Sequence, residues 1–353
     1  MFAILIGVLL FGYTTAYVAS EDVRYLTRAG LEETHILESR RSIAKLVAEP
    51  GTDPRLRSQL ELVLGARDFA AKIGLDARET YTTYSDVGRD TLLLVLSASP
   101  RNCLCAYLWK YPIVGRIPYK GFFDPNMAQK AADRMERQGY DVYLRPSGAF
   151  STLGWFNDPL LSTALGRDSM ELVATVLHEL AHNTLYVKSA TPFNESFAQM
   201  VGYYGAASFF RQRGDTVDAS RAADRWHDEV ALSGYYAQLA GRLDSLYSAT
   251  KDSAAVDTGR KEIAAWARAQ LEGPIGAQLK TYRIGRLTER PINNAQIIAA
   301  RIYRERLHLF EAWYQQHNQM VDSAVAALGR LTDGIPGDSV YTVMERAMGD
   351  SIR

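Results

Sequence analysis

The chain has 353 residues, of which 47% are hydrophobic and 23% are charged, as in a globular protein with a large buried core. Its 40 basic and 40 acidic residues balance, whereas a nucleic-acid-binding protein usually carries a basic surface. We therefore exclude nucleic acid as a partner. The only two cysteines, Cys103 and Cys105, match no metal-binding spacing. We expect two unreactive, partly buried thiols and no disulfide framework.

The N-terminal segment is apolar. Residues 1–19 contain no charged side chain and are followed at once by a charged segment. A helix of about this length can cross a bilayer, and Ala16 could precede a signal-peptide cleavage site. We expect a signal anchor or signal peptide at 1–19, with a buried N-terminal helix as the alternative. The rest of the chain would then lie at a membrane, on the periplasmic or another extracytoplasmic side, although Arg24 and Arg28 favour the opposite orientation.

Residues 20–75 are predicted to be an N-terminal helical segment. A charged helical pattern runs from Asp22 to Val47 and stops before the breaker cluster E-P-G-T-D-P. Asp53 and Pro54 then supply an N-cap and a first helical position, which predicts a second helix that ends near Gly74.

The pattern becomes typical of β-strands between residues 91 and 156, and helical again after it. We predict strands over residues 91–99, 114–123, 140–150 and 150–156, and a helix over 125–138. Helices are also predicted over residues 218–249, 253–272, 293–317, 318–331 and 338–348. The expected fold class is therefore α+β and mainly α-helical, with a small sheet before the central helices and a helical C-terminal half.

The stretch H-E-L-A-H, from His178 to His182, places two histidines one helical turn apart on the same face. Both imidazoles can then bind one metal ion. Glu179 lies about 100° around the helix axis, where its carboxylate can reach a metal-bound water without binding the metal. A catalytic zinc ion has three protein ligands and one open position, so a third ligand must come from elsewhere.

Glu195 is the candidate for this third ligand. Thr191 and Pro192 mark the start of a second helix, whose apolar residues follow at helical spacing. A short turn over residues 188–190 would let the two helices pack antiparallel and bring Glu195 back towards the histidines. His-His-Glu is a known set of catalytic zinc ligands, and a shared metal ion offsets the cost of burying these groups. The alternative is a histidine pair whose hydrogen bonds are satisfied within the core.

The motifs H-E-L-A-H and N-E-S-F-A, the latter from Asn194 to Ala198, resemble those of the gluzincins, the zinc peptidases whose third ligand is glutamate. More closely, the chain resembles a family of bacterial zinc-dependent aminopeptidases that are usually membrane-associated. The resemblance extends to Y-K-G-F-F-D at residues 119–124, to residues 140–163 and to N-N-A-Q-I-I-A-A-R-I-Y at residues 293–303.

This resemblance implies a zincin-like metallopeptidase domain over residues 76–353 that acts on peptides, with Zn²⁺ held by His178, His182 and Glu195. It also implies that Glu179 is the general base, which takes a proton from zinc-activated water and passes it to the leaving amine.

The chain departs from the gluzincin pattern at two points. Fewer residues separate His182 from Glu195 than in most gluzincins, which predicts a tight turn. Gly148–Thr152 stands where the aminopeptidase-N-like enzymes have G-A-M-E-N, so the glutamate that binds the substrate's amine is absent. Asp158 is a candidate replacement, and we expect Phe150–Gly154 to line the cleft.

A second group that stabilises the developing oxyanion is expected besides zinc. Tyr303 is the first candidate, and Tyr203, Tyr204 and His227 are the others. The alternative for each is a scaffold side chain whose polar atom is tied off by a hydrogen bond. Asn194 is a candidate partner for the ligand imidazoles.

These observations predict a membrane-associated zinc metallopeptidase, and an aminopeptidase in particular. The alternatives are a zinc endopeptidase, a non-catalytic membrane-anchored domain with a structural metal, and a metal-dependent hydrolase of other amides. Glu179 favours an enzyme, because a structural metal site does not need an acid at that position.

Overall fold

The structure is a computed structural model that describes residues 2–111, 115–147, 159–166, 168–289 and 293–350. It is mainly helical with small sheets, which confirms the expected fold class of α+β with mainly α-helix.

The helices are α1 (Phe2–Ala19), α2 (Glu21–Glu38), α3 (Ile43–Ala48), α4 (Pro54–Lys72), α5 (Pro125–Arg137), α6 (Ser162–Leu165), α7 (Ser169–Thr184), α8 (Thr191–Gln212), α9 (Thr216–Ala249), α10 (Ser253–Glu272), α11 (Ile284–Thr288), α12 (Asn294–Ile302), α13 (Leu307–Gln316), α14 (Val321–Thr332) and α15 (Val340–Asp350). The strands are β1 (Arg41–Ser42), β2 (Thr83–Ser85), β3 (Leu93–Pro100), β4 (Trp109–Tyr111), β5 (Gly115–Ile117), β6 (Lys120–Phe122), β7 (Tyr140–Ser147) and β8 (Leu160–Leu161).

The two helices α7 and α8 form the centre of the largest core. Most of α8 is buried, because α7, α9 and α13 pack around it. The close contact between α7 and α8 is possible because residue 202 is a glycine. A Cβ atom there would lie 2.8 Å from the carbonyl oxygen of Ala174 and 3.3 Å from Cβ of His178. This contact fixes α8 directly against the histidine-bearing face of α7.

The sheet β6-β3-β7 is antiparallel, and its two faces differ. Leu94, Leu96 and Leu144 lie on the face that packs against α5. Val95 and its partner Arg145 alternate with those residues and therefore point to the opposite face. Strand β7 pairs with β3 alone among the strands that the structure describes, so it is an edge strand there.

The predicted N-terminal elements are confirmed in part. Asp53 Oδ1 accepts a hydrogen bond from Leu56 N at 2.9 Å, so α4 begins as expected. The single helix predicted from Asp22 to Val47 is wrong, because α2 ends at Glu38 and β1 interrupts the pattern. The interruption arises because Arg41 pairs with Tyr84 in β2, a distant contact that periodicity does not reveal.

Residues 2–19 form α1, but no helix in the part of the chain that the structure describes is both long and apolar enough to cross a membrane. The signal anchor or signal peptide at residues 1–19 stays a prediction. The second half of α1 carries hydroxyl groups that form hydrogen bonds within the helix and with α2. Thr14 donates to the carbonyl of Leu10 at 2.7 Å, and Tyr13 hydrogen-bonds Thr27 of α2 at 2.8 Å.

The prediction of one helix over residues 293–317 is also wrong. Two helices, α12 and α13, are separated by a turn at residues 303–306. Arg306 adopts a left-handed conformation with φ of 51°, which ends the helical path. The carbonyl of Arg304 accepts a hydrogen bond from Ser233 at 2.7 Å, and that of Glu305 accepts one from Ser196 at 2.9 Å. Side chains from α9 and α8 thus replace the helical hydrogen bonds.

Cys103 and Cys105 form a disulfide, so the prediction of two free thiols is wrong. Both residues follow the end of β3 at Pro100, in a bent loop that brings the two side chains together. Asn294 at the start of α12 donates to the carbonyl of Cys103 at 3.0 Å, so this loop supports α12.

Candidate metal centre

The metal-binding motif lies on a helical hairpin. Asp168 caps α7 by accepting a hydrogen bond from Glu171 N at 3.0 Å, and α7 continues through the histidines to Thr184. The chain then turns through residues 185–190 and re-enters as α8, which confirms the predicted tight connection. Pro192 occupies the first turn of α8, where its missing N–H group costs nothing.

Asn194 stabilises this turn and does not bind a histidine. Its Oδ1 accepts from Val187 N at 2.9 Å, and its Nδ2 donates to the Val187 carbonyl at 2.8 Å. The prediction of a contact with the ligand imidazoles is therefore wrong, because the buried amide satisfies both backbone groups of the connection. This pair of hydrogen bonds fixes the start of α8, directly before Glu195.

The predicted ligands His178, His182 and Glu195 come together. The two Nε2 atoms lie 3.2 Å apart, and Oε2 of Glu195 lies 3.3 Å from His178 Nε2 and 3.7 Å from His182 Nε2. Ligands about 2.0–2.1 Å from a tetrahedral zinc ion are about 3.4 Å apart, so these separations fit one shared ion. Among the described residues, these three side chains form a group whose ligand atoms are close enough together to hold one metal ion.

The electrostatics of the cluster also suit a cation. Burial would raise the pKa of Glu195, but hydrogen bonds and charge from both histidines hold it at about 2. Burial would lower the pKa of His182, yet Glu195 reverses this effect and raises it. The carboxylate therefore needs positive charge beside it, and a divalent cation can replace the imidazole protons in that role.

Glu179 is half-buried and forms no hydrogen bond with the described part of the chain. Its negative charge contributes to the raised pKa values of His182 and Tyr303, so its carboxylate lies within electrostatic reach of both. The structure thus brings Glu179 to the cluster without making it a ligand, which is the arrangement expected of a general base.

Tyr303 follows the last residue of α12 and is half-buried. Burial raises its pKa to about 12, with a further contribution from Glu195, while Arg145 lowers it. Tyr303 therefore lies close enough to the cluster to sense its charge. At neutral pH its hydroxyl is fully protonated and can donate a hydrogen bond.

The turn after α12 fixes the position of Tyr303. The next residue, Arg304, forms an ion pair with the buried Glu229 of α9, with Nε 2.6 Å from Oε2. Ser196, which follows the ligand Glu195, donates to the carbonyl of Glu305. A single hydrogen bond thus joins the residue beside the metal ligand to the turn that follows Tyr303.

Sequence reasoning missed two side chains near the cluster, Tyr119 and Arg145. Partial burial and then Glu195 raise the pKa of Tyr119, and Arg145 lowers it. Both residues lie within the extended motifs that accompany the H-E-x-x-H stretch, and this position is the sequence feature that could have identified them. Residue spacing alone does not predict a role for those motifs, because only the tertiary fold brings β6 and β7 close to the cluster.

The other tyrosine and histidine candidates lie elsewhere. Tyr204 donates to Glu311 at 2.6 Å and stacks on Tyr314, so its hydroxyl is already bound. Tyr203 is buried, and its pKa is raised well above the ordinary value by burial and then by Glu171. His227 is half-exposed with Nδ1 3.4 Å from Asp228. Tyr204 therefore fits the alternative of a structural side chain, because its hydroxyl group already forms a hydrogen bond.

Three predictions fall outside the described residues. Asp158, the candidate for binding the substrate's amine, lies in the stretch 148–158, as does Phe150–Gly154, the expected lining of the cleft. The strand expected over residues 150–156 belongs to the same stretch.

The hairpin with its His-His-Glu cluster defines a candidate single-metal hydrolytic site. Residues 24–336 match the family described as "Putative aminopeptidase", and because this match spans most of the chain, the chain belongs to that family. Neither a curated protein nor a solved structure shows a significant match to the chain. Family membership thus agrees with the resemblance in the motifs and indicates a peptidase.

Proposed function

We propose that the protein is a zinc-dependent aminopeptidase whose zincin-like domain spans residues 76–353. The observation that carries this proposal is the separation of the three ligand atoms, 3.2, 3.3 and 3.7 Å, which matches the edges of a tetrahedral zinc site. Glu179 beside the cluster and the family match over residues 24–336 support a peptidase over a structural metal site.

His178, His182 and Glu195 would hold the ion, which supplies Lewis acidity towards water and the peptide carbonyl. Glu179 accepts the proton of the attacking water and delivers it to the leaving nitrogen. Tyr303 donates a hydrogen bond to the oxygen that gains negative charge, because its raised pKa keeps the hydroxyl protonated. The buried Glu229–Arg304 ion pair keeps that donor in place.

An endopeptidase is the second candidate. Edge strand β7 offers unpaired backbone groups within the described chain, and these can hold an extended peptide on either side of the cleaved bond. The amine-binding glutamate of G-A-M-E-N is also absent from the sequence. Comparing a free peptide with its N-acetylated form separates the two functions. An aminopeptidase requires the free amine, whereas equal cleavage of both would exclude it.

The Glu179→Gln variant tests the enzymatic role. We expect its peptidase rate to fall about 10³-fold, because general-base catalysis is lost. Zinc content and thermal unfolding should match the parent, since Glu179 is not a ligand. Glu61→Gln, an exposed carboxylate on α4, is the matched control and should keep the parent rate. Hydrolysis by Glu179→Gln at the parent rate would contradict the proposed function.

We also propose an extracytoplasmic location for the domain. The Cys103–Cys105 disulfide supports this proposal, because disulfides form and persist mainly in oxidising compartments. Fractionation of cells that produce the tagged full chain tests it, and recovery in the cytosolic fraction alone would overturn it.

A further inference from the structure

Arg145 is a positively charged side chain on the face of the sheet that leads to the cluster. In β7 it pairs with Val95 and alternates with Leu144, which packs towards α5 on the other face. Helix α12 begins on the Arg145 face, because Asn294 N donates to Asp141 Oδ2 at 2.7 Å and Asp141 has the same alternation as Arg145. The sheet therefore presents Arg145 on the side of α12.

Helix α12 and strand β7 also pack against each other. Helix α12 has nine residues, which is about 13 Å, and Tyr303 follows its last residue. Arg145 lies four residues beyond Asp141 on β7, also about 13 Å. The opposing effects of Arg145 and Glu195 on the pKa values of Tyr303 and Tyr119 agree with this geometry. The Arg145 side chain thus lies near Tyr303 and Tyr119, whose pKa values Glu195 also affects.

Several half-buried arginines pair with a carboxylate, whereas Arg145 does not. Arg304 pairs with Glu229, Arg260 with Asp141 at 2.6 Å, and Arg225 with Glu171 at 3.0 Å. Arg145 has neither an ion pair nor a hydrogen bond with any residue that the structure describes, although it is half-buried. A partly desolvated cation without a partner is costly, so such a group favours an anionic ligand.

We propose that Arg145 binds a carboxylate of the peptide substrate, so that the site prefers short peptides with a carboxylate near the cleaved bond. This inference rests on the proposed peptidase function and names its substrate class. A guanidinium presents paired N–H donors that match the two oxygens of a carboxylate. Either the C-terminal carboxylate of a short peptide or an acidic side chain can supply that group.

Three peptides distinguish the two sources: trialanine, trialanine amide, and the amide in which the third residue is glutamate. We expect the full-length zinc-loaded protein to prefer one carboxylate-bearing peptide over trialanine amide by about 10- to 100-fold in kcat/KM. A preference for trialanine identifies the terminal carboxylate, and a preference for the glutamate amide identifies the side chain. Equal kcat/KM for all three peptides in the parent protein would overturn the proposal.

Variants then assign the preference to Arg145. Arg145→Met should reduce the ratio of kcat/KM values about 10- to 100-fold, mainly by raising KM for the carboxylate peptide. Arg145→Lys, which keeps the charge but not the paired N–H donors of the guanidinium, should retain part of the ratio. The matched control is Arg137→Met, an exposed residue of α5 on the other side of the sheet, which should keep the full ratio. A full ratio in both Arg145 variants would overturn the proposal.

Failure of this inference differs from failure of the proposed function. If the parent protein cleaves the peptides and Glu179→Gln does not, the peptidase function stands whatever Arg145 does. If the parent cleaves none of the three peptides, the proposed peptidase function fails first, and the carboxylate preference fails with it.

Discussion

The α7–α8 hairpin and the wall formed by Tyr119, Arg145 and Tyr303 meet at one site but are built differently. The hairpin is local in sequence, and close helix packing at Gly202 fixes it. The wall combines side chains from three distant segments, positioned by strand register and by hydrogen bonds to a turn. In the proposed function, metal binding depends on the first region, whereas orientation of substrate and oxyanion depends on the second.

Removing a ligand from the hairpin should have the largest effect. Glu195→Ala leaves two histidines, which do not complete the three-ligand set of a catalytic zinc site. We expect bound zinc to be lost and the peptidase rate to fall by more than about 10³-fold. Metal analysis after dialysis, together with the rate, measures both effects. His308→Ala, an exposed histidine on α13, should keep its zinc, and full zinc retention by Glu195→Ala would break the assignment.

A change in the wall should separate catalysis from metal binding. Tyr303→Phe removes one hydroxyl group and should lower kcat about 10²-fold while zinc content and KM change little. Tyr204→Phe is the matched control, because its hydroxyl binds Glu311 away from the cluster. We expect a parent-like kcat for that control. If Tyr303→Phe also has the parent kcat, the wall supplies no oxyanion contact.

The contrast between the regions also explains how much the sequence reveals. His178, His182 and Glu195 were predictable, because helical periodicity and start signals report contacts within one hairpin. Glu179 follows from the same local pattern. The fold class was predictable for the same reason, since long periodic segments dominate the chain.

The positions of the wall residues were less predictable from the sequence. Its residues approach the cluster through strand pairing and through the break between α12 and α13, and both depend on distant partners. The hydroxyls of Ser196 and Ser233 that accompany this break come from other helices, so residues 293–317 carry no local stop signal strong enough to show it. The role proposed for Arg145 depends on which face of the sheet this residue occupies, and a strand pattern alone does not reveal that face.

The smallest expected effect comes from the helix contact itself. Gly202→Ala places a methyl group 2.8 Å from the Ala174 carbonyl, which is backbone and cannot rotate away. We expect a loss of about 1–3 kcal/mol in unfolding free energy, as for an overpacked core, and a lower Tm by calorimetry. Gly241 is an exposed position of α9, and an added Cβ atom there would have no neighbour within 4 Å. We expect Gly241→Ala to raise the unfolding free energy by about 0.5–1 kcal/mol. Equal stability of both variants would show that α7 and α8 do not pack this closely. The positions of His178, His182 and Glu195 would then depend more on the bound metal than on helix packing.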